Sequence, residues 1–405
     1  MTPPNTPCIA CRQPAVSGLA DFGPQPIGHH FLDSPDAAAG HHPIVLGQCD
    51  ACGLAQLVDP VPPEKLTPRV DWIRYNEPEA HLDRLVDALA ALPGIGPESS
   101  ILGITYKEDT SLRRFGERGF RHTSRLDARV DFGIENPCAG VEAVQASLTP
   151  AILPRLRSRH GPPDLVLIRH VIEHTHDTPA FLATFREWIA PGGYAVFELP
   201  DCARGFDLFD YTTFWEDHSL YFVESTFRAT LEQHGLGVVA FHRYPGAYEH
   251  CLVAVTQRRD PNPTRVPPDI ADELARVRRF ARGFDSRREA IRAQLAAWKA
   301  RGPVALFGAG HQASTFLSLL RVADLIDFVI DDHPMKAGRF MPGCALPIVS
   351  SVDARRRGAK VWLSTVGIES ERKIVERHRD FVDEGGLFLS IYPTRPDAPF
   401  TALSP

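Results

Sequence analysis

Residues 164–200 constrain the fold more than any other part of this 405-residue chain. They begin with a largely apolar run, 164–168, of the kind that fills a parallel sheet covered on both faces. A helix with apolar side chains at helical spacing follows from Asp177, and a Pro-Gly-Gly turn ends it. Residues 194–199 form the next predicted strand. This strand–helix–strand pattern predicts an α/β domain with a parallel sheet.

Four polar residues follow the first strand of this segment. Arg169, His170, Glu173 and His174 come directly after its carboxyl end. Ligands of open α/β sheets bind beyond the carboxyl ends of the strands, so we expect a site here. The alternative is that they are surface polar residues of a generic strand–helix–strand unit.

Length and charge narrow the class of protein. A chain of 405 residues predicts two or three domains. The net charge of −6, with 23% charged residues, gives no electrostatic case for binding nucleic acid or an anionic membrane. No run of 18 apolar residues occurs, and the N-terminus lacks the regions of a signal peptide. We expect a cytoplasmic enzyme or binding protein, monomeric or homodimeric.

Two C-x-x-C pairs, Cys8/Cys11 and Cys49/Cys52, predict a structural metal site. Each pair lets two thiolates reach one ion, and four thiolates form a closed tetrahedral Zn²⁺ site. A redox dithiol is the alternative, but it requires only one such pair. Four histidines between the pairs are expected to be solvated loop residues: His29, His30, His41 and His42.

Residues 164–200 also resemble the second half of a class I S-adenosylmethionine-dependent methyltransferase. The resemblance rests on Glu173-His174 after the strand and on Pro191-Gly192-Gly193 before the next one. It implies an open sheet with a glycine-rich turn after strand one and an acidic residue at the end of strand two. The seven predicted strands are 99–104, 120–127, 140–148, 164–168, 194–199, 237–241 and 251–256.

The loop after the first predicted strand departs from that pattern. Gly103 is the one glycine left, and Tyr106 and Lys107 would occupy the space of the cofactor's methionine moiety. Asp127, 24 residues beyond Gly103, fits the acid that binds the ribose hydroxyls. Two interpretations stay open: a working loop in which Asp109 is the loop acid, or a fold that has lost its original cofactor.

The segment EDHSLYF, residues 216–222, is a second polar centre. Asp217 precedes His218, and an adjacent carboxylate raises the basicity of an imidazole and fixes its tautomer, as a general base requires. Ser225 is the predicted cap of the following helix. The alternative is a set of loop polar residues beside a helix cap.

The C-terminal part contains a second strand–turn–helix pattern. Residues 304–307 run into Gly308-Ala309-Gly310-His311, the skeleton of a nucleotide-binding turn. With Lys336 and Arg339, this turn could hold phosphate or pyrophosphate; a tight turn without a ligand is the alternative. Residues 328–332 form another predicted strand, and 269–300 one long helix.

Over nearly its full length the chain resembles the sugar C-methyltransferase family, three-domain enzymes that act on nucleotide-linked ketosugars in deoxysugar pathways. The motifs that carry the resemblance are the two C-x-x-C pairs with CGLAQL, Glu173-His174, the Pro-Gly-Gly turn, EDHSLYF, FGAG and DDHPMKAGRFMPGCALPI. The resemblance implies a small zinc-binding domain (1–70), a central seven-stranded Rossmann-like methyltransferase domain (71–260) and a C-terminal Rossmann-like α/β domain that binds the nucleotide sugar (261–405).

The resemblance also implies a reaction. His218 would remove a proton next to a ketone, and the enolate carbon would attack the methyl group of S-adenosylmethionine. The tyrosines that precede the first central helix in the family correspond here to Trp72 and Tyr75, which could also simply join two domains. Other chemistry on a nucleotide sugar (epimerase, dehydratase or oxidoreductase) and noncatalytic binding are the alternatives. The candidate residues are His218, Asp217, His174, Tyr75 and Tyr221 for catalysis; Gly103, Thr105, Asp109, Asp127, Arg169, His170 and Glu173 for the cofactor; and Trp72, Gly308, Gly310, His311, Lys336 and Arg339 for the substrate.

Overall fold

The computed structural model describes residues 6–73, 77–395 and 398–401, apart from the side chain of Glu369. The chain forms two compact units, each built from three segments. The first unit comprises Met1–Ser17, Gly47–Cys202 and Asp217–Leu274, and the second comprises Gly18–Leu46, Ala203–Glu216 and Ala275–Pro405. Within the described ranges, every helix is too short or too polar to cross a membrane.

The strands are numbered in chain order. They are β1 (Val16–Pro26), β2 (His41–Cys49), β3 (Ala55–Leu57), β4 (Ser100–Gly103), β5 (His122–Arg125), β6 (Leu165–Arg169), β7 (Tyr194–Asp201), β8 (Leu220–Tyr221), β9 (Leu236–Tyr244), β10 (His250–Arg258), β11 (Val304–Phe307), β12 (Phe328–Ile330), β13 (Ile348–Val349), β14 (Val361–Ser364) and β15 (Leu387–Ser390).

The α-helices are numbered in the same way. They are α1 (Pro63–Leu66), α2 (Leu82–Ala90), α3 (Asp109–Glu117), α4 (Ala128–Phe132), α5 (Val141–Ser147), α6 (Leu153–His160), α7 (Thr178–Trp188), α8 (Ala203–Asp207), α9 (Glu224–Gln233), α10 (Ile270–Arg282), α11 (Phe284–Lys299), α12 (His311–Leu319), α13 (Ser351–Arg356), α14 (Ile368–Arg377) and α15 (Arg379–Asp383).

The central sheet of the first unit has six strands among the described residues, in the order β5-β4-β6-β7-β10-β9. The strands from β5 to β7 are parallel, and β10 runs antiparallel to both β7 and β9. Six of the seven predicted strands are confirmed. The third, 140–148, is wrong, because Val141, Val144 and Leu148 recur at helical spacing and form the helix α5 instead.

The apolar run of β6 fixes the centre of this sheet. All five of its residues are buried, and alternate side chains enter two different hydrophobic clusters. Val166 and Ile168 pack with the aromatic face of α7, whereas Leu165 and Leu167 pack with α2. Because both faces are covered, the polar residues after β6 emerge at the carboxyl edge of the sheet.

The strand β8 belongs to a different, four-stranded sheet with the order β1-β2-β3-β8. It pairs antiparallel with β3, which follows the second cysteine pair, and Leu57 N–H donates to Ser219 O at 2.9 Å. The next helix, α9, begins at Glu224 with Val223 as its N-cap, so the predicted cap at Ser225 is wrong. The hydroxyl of Ser225 donates instead to Glu273 at 2.9 Å.

The second unit contains a parallel sheet with the order β13-β12-β11-β14-β15. The strands predicted at 304–307 and 328–332 are confirmed as β11 and β12. The single helix predicted over 269–300 is wrong. Gly283 separates α10 from α11. Its N–H donates to both Arg279 O and Phe280 O at 3.1 Å. Because glycine is a poor helix former, a helical run can end at this residue.

Candidate functional site

The four cysteines of the C-x-x-C pairs converge on one point. Sγ of Cys8 lies 3.8 Å from Sγ of Cys52, and Sγ of Cys11 lies 3.7 Å from Sγ of Cys49. A tetrahedral Zn²⁺ with Zn–S bonds of about 2.3 Å has S–S edges of about 3.8 Å. All four sulfurs lie within 4.8 Å of one another, so the geometry fits one structural zinc ion.

The local backbone explains why these sulfurs meet. The residue after each pair, Arg12 or Gly53, has a left-handed backbone with φ of 63° or 77°. Its N–H donates to the carbonyl of the first cysteine in its pair, at 3.0 Å for Cys8 and 2.8 Å for Cys49. Each pair is therefore a tight turn that points two thiols the same way. The histidines between the pairs are not all solvated as predicted, since His29, His30 and His42 are buried.

The loop after β4 is organised by Glu108. Its carboxylate accepts hydrogen bonds from Thr105 N at 2.6 Å, from Thr105 Oγ1 at 3.0 Å and from Arg169 N at 2.6 Å. A Cβ at Gly103 would lie 2.7 Å from Glu108 Cβ, so only glycine fits there. Burial raises the pKa of Glu108 to about 7, against the opposing effect of these N–H donors.

The guanidinium of Arg169 joins the loop to the neighbouring strand. It makes two hydrogen bonds to the Glu198 carboxylate, at 3.0 and 3.1 Å, and donates further to Lys107 O and Pro78 O. His81 Nε2 also donates to Glu198, at 3.2 Å. Burial would raise the pKa of Glu198, but Arg169 and the two nearby histidines hold it well below its usual range. Arg169 thus positions the loop through its own protein partners.

A buried charge cluster lies beside this loop. Lys107 Nζ is 2.6 Å from the Glu77 carboxylate and donates to His170 O at 3.2 Å. Burial raises the pKa of Glu77, but the positive charges of His170 and Lys107 outweigh burial and hold this pKa at about 2. Burial lowers the pKa of His170, but the carboxylates of Glu77, Glu173 and Glu198 raise it to about 10. His170 is therefore an imidazolium at neutral pH.

Glu173 differs from the other carboxylates of the cluster. Its side chain is almost completely buried, and neither carboxylate oxygen accepts a hydrogen bond from the residues that the structure describes. His170 Nδ1 lies 3.3 Å away as an ion-pair partner. A buried carboxylate without hydrogen bonds is costly, so this position suits a ligand that brings a cationic group.

The two predicted catalytic histidines are neighbours. The His174 and His218 rings lie 4.6 Å apart at 89°, and one ligand-type atom each of Glu173, His174 and His218 lies within 4.8 Å of the others. His174 Nδ1 donates to Asp217 O at 2.8 Å, and because a carbonyl only accepts, the other nitrogen, Nε2, keeps its lone pair. Burial, with His218 and Lys107, lowers the pKa of His174 well below its usual value, so His174 is neutral.

Other predicted residues of the first unit take structural positions. Asp127 is exposed and caps α4 through Val130 N at 2.7 Å, whereas Asp109 is exposed and pairs with Arg125 at 3.1 Å. Tyr221 is buried in β8 with its ring 6.2 Å from that of His218. Trp72 is half-buried, and Tyr75 lies outside the described residues.

The turn of the second unit that is predicted to bind phosphate is a tight glycine turn. Gly308 has φ of 108°, and a Cβ there would lie 2.6 Å from Val366 Cγ1. Lys336 Nζ donates to Ala309 O at 2.6 Å and to Asp331 at 2.9 Å, while the same Asp331 carboxylate accepts from Ala309 N. The turn and Lys336 are brought together.

The remaining predicted residues of this unit have other partners. Gly310 is the N-cap of α12, with its N–H donating to Gly308 O at 3.1 Å, and Arg339 pairs with Asp33 at 3.4 Å. His311 donates from Nε2 to Glu216 at 2.6 Å and stacks on Trp215.

Sequence reasoning missed four residues of these clusters. Glu198 follows four consecutive uncharged residues of a fully buried strand, and a charge in such a place is a usable signal for a buried ion pair. Glu77, Glu108 and Glu216 gave no such signal, because their partners lie in other loops or in backbone groups.

Three family models match consecutive parts of the chain. A zinc binding domain matches residues 8–66, a methyltransferase domain matches 83–240, and a C-methyltransferase C-terminal domain matches 270–393. No curated protein matches the sequence.

Two solved methyltransferase structures each align with less than half of the chain. The 1,6-didemethyltoxoflavin-N1-methyltransferase of Burkholderia thailandensis is 17% identical over 45% of this chain and 80% of its own, with a TM-score of 0.29. The magnesium protoporphyrin IX methyltransferase of Synechocystis PCC 6803 is 14% identical over 44% of this chain and 81% of its own, with a TM-score of 0.30.

The family models and the cysteine geometry agree with each other. The matched domains follow in the order zinc binding, methyltransferase and C-methyltransferase C-terminal domain. The chain is an S-adenosylmethionine-dependent methyltransferase with a structural zinc site, and its matched domains follow the three-domain architecture of the sugar C-methyltransferases.

Proposed function

We propose that this enzyme methylates a carbon atom next to the carbonyl group of a nucleotide-linked ketosugar, with His218 as the general base. One observation carries the proposal: His218 lies against a buried, neutral His174 whose tautomer is fixed by Asp217 O. Two adjacent imidazoles, one of them held neutral by burial and neighbouring charge, suit proton transfer near neutral pH. The domain limits at 1–70, 71–260 and 261–405 stay a prediction.

The proton transfer can be written with these residues. The carbon–hydrogen bond next to the ketone breaks, its proton goes to a His218 ring nitrogen, and the electron pair forms the enolate. His174 is a positioning residue, because its Nδ1–H is committed to Asp217 O and its Nε2 can accept a hydrogen bond. Asp217 acts on His174 through its backbone carbonyl, and its carboxylate lies 3.9 Å from the same Nδ1.

The cofactor end of the site is assigned to Glu173 and its neighbours. Bound S-adenosylmethionine supplies an electrophilic methyl group on a sulfonium ion. The Glu173 carboxylate, buried and without a hydrogen-bond donor among the described residues, fits the positive end of that cofactor. His170 and Lys107 balance the remaining carboxylates and hold the Glu173 side chain in the charged cluster.

We also propose that the glycine turn of the second unit, taken by itself, binds a phosphate group. The turn at Gly308–Gly310 opens α12, and the Lys336 ammonium group lies on it at Ala309 O. Backbone N–H groups at a helix start and one lysine are the usual partners of a phosphate group.

The proposal can be tested without methyl transfer. A nucleotide-linked 4-ketosugar is incubated in D₂O with the enzyme and S-adenosylhomocysteine, and deuterium uptake next to the ketone is followed by NMR. We expect His218→Gln to lower the exchange rate about 10²-fold or more, as loss of a general base does. His174→Gln should also lower the exchange rate. His176→Gln is the matched control, since His176 lies near these residues in sequence and outside the cluster that they form.

Exchange that does not depend on His218 would reject the proposed base.

A specific observation favours one second function: Lys107, in the loop that usually receives the cofactor, is paired with Glu77 at 2.6 Å. If deuterium exchange depends on His218 but no methyl group is transferred from S-adenosylmethionine, the enzyme is an epimerase-type catalyst on the same substrate class.

A further inference from the structure

A second group of metal-ligand side chains lies in the second unit, separate from the four cysteines. His29, Glu216 and His311 each offer one ligand atom, and these three atoms lie within 4.8 Å of one another. The side chains come from three distant segments of the chain, and the residues are only 7%, 6% and 5% exposed. Neither the sequence motifs nor the three family matches account for this convergence.

The local structure holds these ligands in place. Glu216 accepts from Gly28 N at 2.6 Å through one oxygen and from His311 Nε2 at 2.6 Å through the other. The Trp215 ring stacks on the His311 ring with centroids 4.7 Å apart. A Cβ at Gly28 would lie 3.0 Å from His311 Cδ2, a tight contact, so glycine favours this close approach of the backbone to the His311 ring.

The donor set is typical of a divalent transition metal. Two imidazoles and one carboxylate bind Zn²⁺ in open sites, where a water or a ligand oxygen completes the coordination. Glu216 also lines a small cleft with Gln25, Ser314 and Thr315, which has room for about one water-sized oxygen. Replacing the proton between His311 and Glu216 by a metal ion requires only a small separation of these two groups.

We propose that His29, Glu216 and His311 bind a divalent cation of the zinc type. The site is distinct from the closed four-cysteine site, which has no open position. The proposal does not depend on the reaction assigned to His218. The competing explanation is a metal-free hydrogen bond between His311 and Glu216 with His29 beside it.

Metal analysis of the full-length protein separates the two. The protein is saturated with Zn²⁺, dialysed against metal-free buffer and assayed for zinc per chain. We expect about two equivalents in the native protein and about one in Glu216→Gln and His311→Gln, because the four cysteines keep their own ion. His30→Gln is the matched control: the His30 ring lies 4.8 Å from that of His29 but is not among the three ligands, so the second equivalent should remain.

X-ray absorption at the zinc edge provides a readout that does not depend on folding yield. The native protein should show a nitrogen and oxygen shell at about 2.0–2.1 Å beside the sulfur shell at about 2.3 Å, and the nitrogen and oxygen shell should vanish in Glu216→Gln. One zinc equivalent in the native protein, or a second equivalent that survives in both Glu216→Gln and His311→Gln, overturns the proposal.

Discussion

The molecule has two strand–turn–helix loops, one after β4 and one after β11. A carboxylate accepts backbone hydrogen bonds in each loop, but the two carboxylates come from different parts of the chain. In the loop after β4 the carboxylate is Glu108, a member of the loop itself. In the turn after β11 it is Asp331, which follows β12 and accepts from Ala309 N at 2.9 Å. Because Asp331 lies outside the turn after β11, that turn can stay short and rich in glycine. Glu108 lies within the loop after β4, so its side chain fills part of that loop.

The charges of the two loops differ in the same way. Lys107, paired with Glu77, has a side chain that is only 6% exposed, whereas Lys336, paired with Asp331, is 19% exposed; the two carboxylates are enclosed to a similar degree. The first loop is therefore stabilised by buried charges that must stay balanced. The second depends more on the steric requirement for glycine at Gly308.

The largest expected effect is on the buried ion pair. Lys107→Met removes the 2.6 Å partner of the largely buried Glu77 carboxylate and leaves His170, at 3.8 Å, to balance it, so the free energy of unfolding should fall by about 3–4 kcal/mol. Lys336→Met, the matched change in the second loop, should cost about 1 kcal/mol, because the Asp331 carboxylate keeps its hydrogen bonds from Ala309 N and His333 N. Urea denaturation of both variants measures the difference. Equal losses would contradict the contrast, and Glu77→Gln should restore part of the stability lost in Lys107→Met.

The next effect concerns the glycine of the second loop. Gly308→Ala introduces a Cβ at φ of 108° and 2.6 Å from Val366 Cγ1, so we expect the free energy of unfolding to fall by about 2–3 kcal/mol. Gly310→Ala is the control, since a Cβ there meets no atom within 4 Å and φ is −133°. Thermal unfolding should show little change for this second variant. A large shift for Gly310→Ala would mean that the turn tolerates no side chain at all.

The smallest effect is a pH dependence of the first loop. The pKa of Glu108 rises from 4.5 to about 7 on folding, so its contribution to stability is complete below pH 4.5 and is lost as the pH rises through 7. Between pH 4.5 and 8 the native protein should lose on the order of 2 kcal/mol relative to Glu108→Gln. The comparison is made by urea denaturation at several pH values. Asp109→Asn, which changes an exposed neighbour, should follow the native protein, and parallel curves for native and Glu108→Gln would contradict the prediction.

The sequence was sufficient where a pattern is local. The apolar runs predicted β6 and β7, and the cysteine spacing predicted the metal cluster, because each depends on residues a few positions apart. The run 140–148 failed for the opposite reason: its mixed valine and alanine residues fit both periods, and tertiary packing decided for the helix α5.

The candidate site was predictable in its residue types but not in its partners. His174 and His218 were identified from their motifs, yet the group that fixes His174 is a backbone carbonyl, and every residue has one. The pairing of Lys107 with Glu77 joins two loops that no sequence period connects. Charge states that depend on such contacts, as for His170, could therefore not be predicted from sequence.

The pairing of β3 with β8 links two parts of the first unit that carry different chemistry. β3 follows the second cysteine pair, and β8 follows Asp217 and His218 directly. The zinc ion of the four-cysteine site can thus anchor the segment that carries the proposed base, His218. Chelation of that zinc should therefore lower the activity as an inhibitor does, by releasing one end of the proposed catalytic segment while its side chains stay chemically intact.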